Sequence, residues 1–95
     1  MLEEISEILS RMDKEEITEF FKELLTESEI AVLSKRWCIL KMLASENYTQ
    51  REVAKKLHVS LCKITRGAKI LNTSNSITKK IINGEKNDKK YTAIN

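Results

Sequence analysis

The chain has 95 residues, a formal net charge of +3, no proline and only two glycines. That length allows one domain with a small core, and a chain of this size built from short helices often completes its core by dimerising. We expect no signal peptide, and the sequence has no long apolar run and no CxxC spacing of its two cysteines, so we also expect a reduced, cytoplasmic protein that does not span a membrane.

The charges are divided unevenly along the chain. Residues 1–30 contain three Lys or Arg and ten Asp or Glu, whereas residues 31–95 contain fourteen Lys or Arg and only four Asp or Glu. Charge segregated in this way indicates an acidic scaffold and a basic face that meets a polyanion, and nucleic acid is the first candidate.

The first half of the chain has apolar residues at helical spacing, which predicts an all-α fold. Residues 2–12 form the first predicted helix. Asp13 with Glu16, and Thr26 with Glu29, are capping boxes that begin a second helix and a third, the longest, which extends roughly to Ser45. The predicted buried stripe of this long helix consists of Ile30, Leu33, Trp37, Leu40, Leu43 and Ala44.

Residues 49–71 read as two short helices joined by a tight turn. Thr49 and Glu52 form a third capping box, Val59 follows the turn as an apolar plug, and Ser60 is expected to cap the second helix. This layout is that of a helix-turn-helix, with Val53, Ala54, Leu57, Ile64, Ala68 and Leu71 facing inward. The outward positions are cationic or hydrogen-bonding, as DNA requires: Gln50, Arg51, Lys55, Lys56, Lys63, Thr65, Arg66 and Lys69.

The last predicted helix is short and contains Ile77, Ile81 and Ile82. Asn83-Gly84 is expected to end it. We therefore predict a single helical domain over residues 1–84, followed by a disordered polar tail over residues 85–95.

Two motifs, Thr49-Gln50-Arg51-Glu52 and Ile64-Thr65-Arg66-Gly67, resemble the bacterial tryptophan repressor family. The resemblance runs without gaps over about residues 23–71 and includes Arg36, thirty residues before Arg66. It implies an all-α, intertwined homodimer with six helices per chain, which represses genes of tryptophan biosynthesis and uptake at a palindromic operator. It also implies L-tryptophan as corepressor, and no catalytic cofactor.

The same resemblance implies a ligand site. Arg36 and Arg66 would enclose the indole ring, and Arg66 would also pair with the ligand carboxylate. Ile70 stands where the family has a serine that helps to hold the ligand ammonium, a loss that we expect to weaken tryptophan binding by roughly tenfold to a hundredfold. The remaining implied positions are a pocket edge, two backbone carbonyls and a small residue beside the ring: Thr26, Glu23, Leu25 and Gly67.

The expected DNA-binding residues lie at the exposed front of the helix-turn-helix. Lys63 is expected to contact DNA, with the choice between base and phosphate left open. His58 occupies the turn position where the family usually has glycine, and histidine is among the residues that tolerate a left-handed backbone. The full expected set is Gln50, Arg51, Ser60, Leu61, Cys62, Lys63, Thr65 and Lys69.

An enzyme is not expected, because His58 is the only histidine and no Ser/His/Asp arrangement can form. Cys38, Cys62 and His58 lack the spacing and the fourth ligand of a metal site. Two alternatives stay open. The chain could be a DNA-binding relative that has lost its corepressor because Ile70 fills the pocket, or it could be a protein-interaction module that uses its acidic first two helices.

Overall fold

The computed structural model describes residues 1–87, with side chains as far as Gly84. Within that range the chain forms helices and no strand, so the predicted all-α fold is confirmed. The helices are α1 (Leu2–Ser10), α2 (Lys14–Leu24), α3 (Glu27–Ser45), α4 (Gln50–Leu57), α5 (Leu61–Asn72) and α6 (Ile77–Asn87).

The chain divides into two compact units, Met1–Ser34 and Lys35–Asn95, named here the acidic unit and the basic unit. The acidic unit contains α1, α2 and the first turns of α3. Two predicted capping boxes are confirmed in it. In the first, Asp13 Oδ1 accepts from the Glu16 amide at 2.9 Å and Glu16 Oε1 accepts from the Asp13 amide at 3.1 Å. In the second, Thr26 Oγ1 accepts from the Glu29 amide at 3.1 Å and Glu29 Oε1 accepts from the Thr26 amide at 2.9 Å. No side chain of this unit is buried.

The basic unit contains the core. Ile39 of α3, Val53 of α4 and Ile64 of α5 are buried against one another. The predicted plug, Val59, packs against this cluster, and so do Met42, Leu43, Ala54 and Leu57. Leu71 and Ile82 are buried as well, so the inward faces predicted for the two short helices are confirmed.

The connection between α4 and α5 is three residues long. His58 ends α4 in the left-handed region with φ 54°, as expected for the position where glycine is usual. The third capping box is also confirmed, since Glu52 Oε1 accepts from the Thr49 amide at 2.8 Å and Thr49 Oγ1 accepts from the Glu52 amide at 3.1 Å. Ser60 is the N-cap residue of α5, as predicted, but the predicted hydrogen bond to its hydroxyl is wrong. The Ser60 hydroxyl makes no capping bond, and the Ser60 carbonyl accepts from the Lys63 amide at 3.2 Å.

The predicted buried stripe of α3 needs two corrections. Leu33 is 48% exposed, and Ile39, which the prediction left out, is the buried residue of this helix. The cause is that α3 is apolar on more than one side around residues 37–40, so its periodicity does not single out the face that packs on α4 and α5.

The last helix continues to Asn87, three residues beyond the end predicted at Asn83-Gly84. Residues 88–95 lie outside the described part of the chain, so the predicted polar tail stays a prediction there, as does the single domain over residues 1–84. Among the helices of residues 1–87, none is long and apolar enough to cross a bilayer.

Candidate functional site

A cleft of about 130 Å³ lies in the basic unit between α3 and α5. Four of the residues expected to bind the ligand line it: Arg36, Arg66, Gly67 and Ile70. The cleft is smaller than the roughly 300–1,000 Å³ that encloses most drug-sized ligands, so these residues alone hold only part of such a molecule.

Helical spacing explains how the cleft is assembled. Residues 36, 39 and 40 share one face of α3, and residues 63, 66, 67 and 70 share one face of α5. Sequence reasoning missed Ile39 and Leu40 as lining residues and assigned Lys63 to DNA alone. The spacing of three between Lys63 and Arg66 is the signal that could have found the lysine.

Gly67 allows the two walls of the cleft to approach each other. It is buried, and a Cβ atom built on it would lie 3.0 Å from Ile39 Cγ2 and 3.2 Å from Leu43 Cδ1. Those separations are tighter than ordinary packing, so a side chain at this position would force Ile39 or Leu43 to shift by a few tenths of an ångström. The expected role of Gly67 beside a bound ring stays a prediction.

The lining of the cleft combines cationic and apolar side chains. Arg36, Lys63 and Arg66 contribute positive charge, and Ile39, Leu40 and Ile70 contribute hydrocarbon. Such a lining suits a ligand that combines a flat apolar body with an anionic group, because a guanidinium can stack on a ring and pair with a carboxylate.

The other three expected ligand residues belong to the acidic unit. The Thr26 hydroxyl accepts from the Glu29 amide, as a helix cap does, while Glu23 is exposed and Leu25 is half-buried. Their assignment to a ligand site stays a prediction.

The residues expected to contact DNA are all exposed. They lie on α4, on α5 and at the N-cap residue that precedes α5: Gln50, Arg51, Ser60, Leu61, Cys62, Lys63, Thr65 and Lys69. The Thr65 hydroxyl donates to the Leu61 carbonyl, one turn earlier in the same helix, at 3.0 Å.

The cations of this surface are not neutralised by neighbouring carboxylates. Side chains 35–84 include eleven Lys or Arg and only two glutamates, Glu46 and Glu52. In the described part of the chain, ion pairs occur only among residues 1–22. The positive charge of α4 and α5 is therefore available to an external polyanion.

Glu52 caps the start of α4 and lies one turn before Lys56, a cation of the same helix. Its bond from the Thr49 backbone amide, then its interaction with the Thr49 side chain, hold the pKa of the Glu52 carboxyl below its usual value, with a further contribution from Lys56. The ionised Glu52 carboxylate is thus stabilised by the hydrogen bond that caps the start of α4.

Both cysteines are free thiols, with Cys38 half-buried in α3 and Cys62 exposed at the front of α5. Over residues 1–87 no group of three or more His, Cys, Asp or Glu side chains could hold a metal ion.

The comparisons with protein families and with curated proteins indicate the same family. The family described as "Trp repressor protein" matches residues 2–86. The chain is 50% identical over 52 residues to a "Trp operon repressor homolog" of Xylella fastidiosa, an alignment that covers 55% of this chain and 56% of that protein. It is 42% identical over 53 residues to the Chlamydia caviae protein of the same name, with 56% and 52% covered.

A longer alignment joins the chain to the "Trp operon repressor homolog" of Chlamydia trachomatis serovar L2, with 33% identity over 79 residues, covering 82% of this chain and 84% of that protein. In the Xylella fastidiosa and Chlamydia caviae alignments the chain spans about half the length of the relative. The comparison with solved structures gives no significant match.

Proposed function

Because this chain belongs to the Trp repressor family, a family of transcription regulators, we propose that it is a sequence-specific DNA-binding repressor with L-tryptophan as its corepressor. In this proposal α4 and α5 form the helix-turn-helix, α5 is the recognition helix, and the regulated genes are those of tryptophan biosynthesis and uptake.

One observation carries the proposal: α5 has exposed residues from its first turn onward and also forms one wall of a cleft. Leu61, Cys62 and Lys69 are exposed on this helix, while Arg66, Gly67 and Ile70 line the cleft. A ligand in the cleft would therefore touch the same rigid element that reads DNA. That arrangement is what a ligand-responsive repressor needs.

Binding to DNA follows from the unneutralised cations of the basic unit. The front of α5 would enter the major groove, and Arg51 and Lys69 would contact phosphates on either side of it. Each phosphate contact releases counterions, so the affinity for duplex DNA is expected to fall steeply as salt rises.

A homodimer is part of the proposal, because two recognition helices are needed to read a palindrome. Exposed apolar side chains in the acidic unit support it. Ile8, Leu24, Val32 and Leu33 are all exposed in the single chain, and a second copy would cover such surface.

Ligand control follows from the two arginines of the cleft. Arg36 belongs to α3 and Arg66 to α5, so a ligand held between them would join the long helix to the recognition helix. The ligand would shift the population toward the DNA-binding arrangement by as much as its preference for that state allows.

The first arm of the test uses the full chain and a pool of duplexes with a randomised centre. Bound duplexes are recovered and sequenced with and without L-tryptophan, and affinity for the enriched duplex is measured at 50 and 200 mM salt. We expect an enriched palindrome and an affinity loss of roughly 10³-fold over that salt range. No enrichment and a flat salt dependence would instead identify the protein-interaction module.

The second arm compares Arg66→Ala with Arg51→Ala on the enriched duplex. Removal of the cleft arginine is expected to abolish the response to L-tryptophan. Removal of Arg51, which is exposed on α4, is expected to weaken DNA binding with and without tryptophan while preserving the response. A wild-type affinity that does not change with tryptophan would identify a repressor without this corepressor.

A further inference from the structure

Building on the proposed DNA-binding function, we propose that α5 selects thymine by direct contact between the Leu61 side chain and the 5-methyl group of the base. The preferred operator then has a thymine at one symmetric position of each half-site. This inference rests on the proposed function and deepens it, because it names a base that the recognition helix selects and the residue that selects it.

One side of α5 is used neither by the core nor by the cleft. Ile64, Gly67 and Leu71 are buried, and an adjoining side of the helix lines the cleft. Successive residues of a helix are turned by about 100°, which places the remaining positions together on the other side. All of them are exposed: Leu61, Cys62, Thr65, Lys69 and Asn72.

The first turn of this exposed side is apolar. Leu61 is 48% exposed, and the neighbouring Cys62 is an exposed free thiol, which behaves as a small hydrophobic group. The N-terminal residues of a recognition helix are the ones that meet base edges in the major groove. The apolar group that a base presents there is the methyl group of thymine, so this turn and that base are chemically complementary.

The exposed side has no planar side chain close to its first turn. Arginine, asparagine and glutamine are the planar side chains that bind a guanine or adenine edge through two hydrogen bonds. In α5 only Arg66 and Asn72 belong to this class. Arg66 lines the cleft, and Asn72 is the last residue of the helix, about 16 Å along its axis from Leu61. Selection by hydrocarbon contact therefore has no such competitor at the first turn.

The hydroxyl group nearest to Leu61 along this side is already used as a donor. Thr65 lies one turn after Leu61 and donates to the Leu61 carbonyl at 3.0 Å. A hydroxyl has one proton to donate, so Thr65 can only accept from a base while that bond is kept. Lys69, one turn further on, donates as a point charge that a phosphate oxygen satisfies, and this role is the one proposed for it above.

The size of the effect follows from the chemistry of a single methyl group. Uracil pairs with adenine as thymine does and presents the same O4 acceptor, but it lacks the 5-methyl group. Burial of one such group changes an affinity by about fourfold, so loss of one group from each half-site of a palindrome corresponds to about fifteenfold. The number of phosphate contacts is the same for both duplexes, so their salt dependence cancels in the ratio.

The test uses the full chain and the duplex enriched in the selection described above. Each symmetric pair of thymines is replaced in turn by 2′-deoxyuridine, and the affinity of the wild-type protein is measured at one salt concentration. We expect one pair whose replacement weakens binding by about fifteenfold. Replacement of thymines that α5 does not contact should leave the affinity unchanged.

Three variants assign the methyl contact to Leu61. Leu61→Ala removes the hydrocarbon and should bind the thymine and uracil duplexes with nearly equal affinity. Leu2→Ala is the same substitution at a side chain that is 76% exposed in the acidic unit, and it should keep the wild-type ratio. Lys69→Ala should weaken binding to both duplexes by the same factor and also keep the ratio. Circular dichroism checks that each variant retains its helices.

The outcomes separate this inference from the proposed function. A wild-type affinity that no uracil replacement changes, or an enriched palindrome without a symmetric pair of thymines, would overturn the methyl contact and leave the repressor intact. A fifteenfold ratio that persists in Leu61→Ala would overturn the role of Leu61. A selection that enriches no duplex would remove the proposed DNA-binding function and this inference with it.

Discussion

The acidic and basic units are built with the same local devices but differ in what they bury. Both have capping boxes and amphipathic helices, yet every buried side chain of the described residues lies in the basic unit. The acidic unit instead has apolar side chains that are half-buried or exposed, together with three solvent-exposed ion pairs. Such pairs contribute little to stability.

Strong helix signals in the sequence do not by themselves produce a buried core. The basic unit has one because Ile39, Val53 and Ile64 come from three different helices and converge on one point. Within the acidic unit, by contrast, no side chain is buried. The apolar faces of its helices support the proposed homodimer, since a second copy could bury them.

The largest expected effect is loss of the basic core. Ile64 is fully buried, so Ile64→Ala should reduce the free energy of unfolding by about 2–5 kcal/mol. Leu2→Ala is a comparable change in the acidic unit, at a side chain that is 76% exposed and outside the surface proposed to be covered by a second copy, and should cost less than about 1 kcal/mol. Urea denaturation followed by circular dichroism measures both losses. Equal losses would contradict the contrast between the two units.

The next effect concerns the close approach of α3 and α5. Gly67→Ala would place a Cβ atom against Ile39, whose β-branched side chain has little rotational freedom in a helix. Overpacking costs about 1–3 kcal/mol, and the better helix propensity of alanine returns about 1 kcal/mol. We expect a net loss of about 1 kcal/mol, measured by urea denaturation. A more stable variant would show that α3 moves aside freely.

A smaller effect, of opposite sign, is expected at the turn. His58→Gly should stabilise the chain by about 0.5–1 kcal/mol, because glycine adopts the left-handed conformation without the cost that histidine incurs. Lys55→Gly, three residues earlier inside α4, should destabilise it by about 1 kcal/mol. Thermal unfolding of the two variants should therefore shift in opposite directions, and shifts in the same direction would refute the assigned strain.

The smallest effect is the pH dependence of the Glu52 cap. Its pKa is lowered in the folded chain, first by the Thr49 backbone amide, so its stabilising contribution is complete above the pKa of the unfolded chain. That contribution is lost as the pH falls through the lowered folded value. The melting temperatures of wild type and Glu52→Gln should therefore differ at neutral pH and converge in acid. A difference that persists in acid would assign the cap to something other than the charge.

Sequence reasoning predicted the helices well because their ends carry strong local signals. Each of the three capping boxes pairs a side chain with an amide three residues away, so no distant information is needed. The left-handed turn at His58 was predicted differently, from the position where the resembled family usually has glycine. The end of α6 was predicted too early because Asn83-Gly84 is a common helix stop that here lies inside the helix.

What the sequence could not supply was the choice among apolar faces. The run of apolar residues 37–40 in α3 presents several candidate faces, and only the approach of α5 selects Ile39. For the same reason, the sequence did not predict that Lys63, which is exposed, also lines the cleft. The spacing of three from Arg66 places Lys63 on the same face of α5, but only the approach of α3 makes that face a wall of the cleft.

The free thiol of Cys62 at the front of α5 gives the chain a built-in chemical reporter. Because Cys38 is half-buried and Cys62 is exposed, a neutral alkylating reagent should modify residue 62 first. Any duplex that covers the front of α5 should slow that modification. The surface proposed to read DNA can thus be footprinted in the unaltered protein, by mass spectrometry, without an attached label.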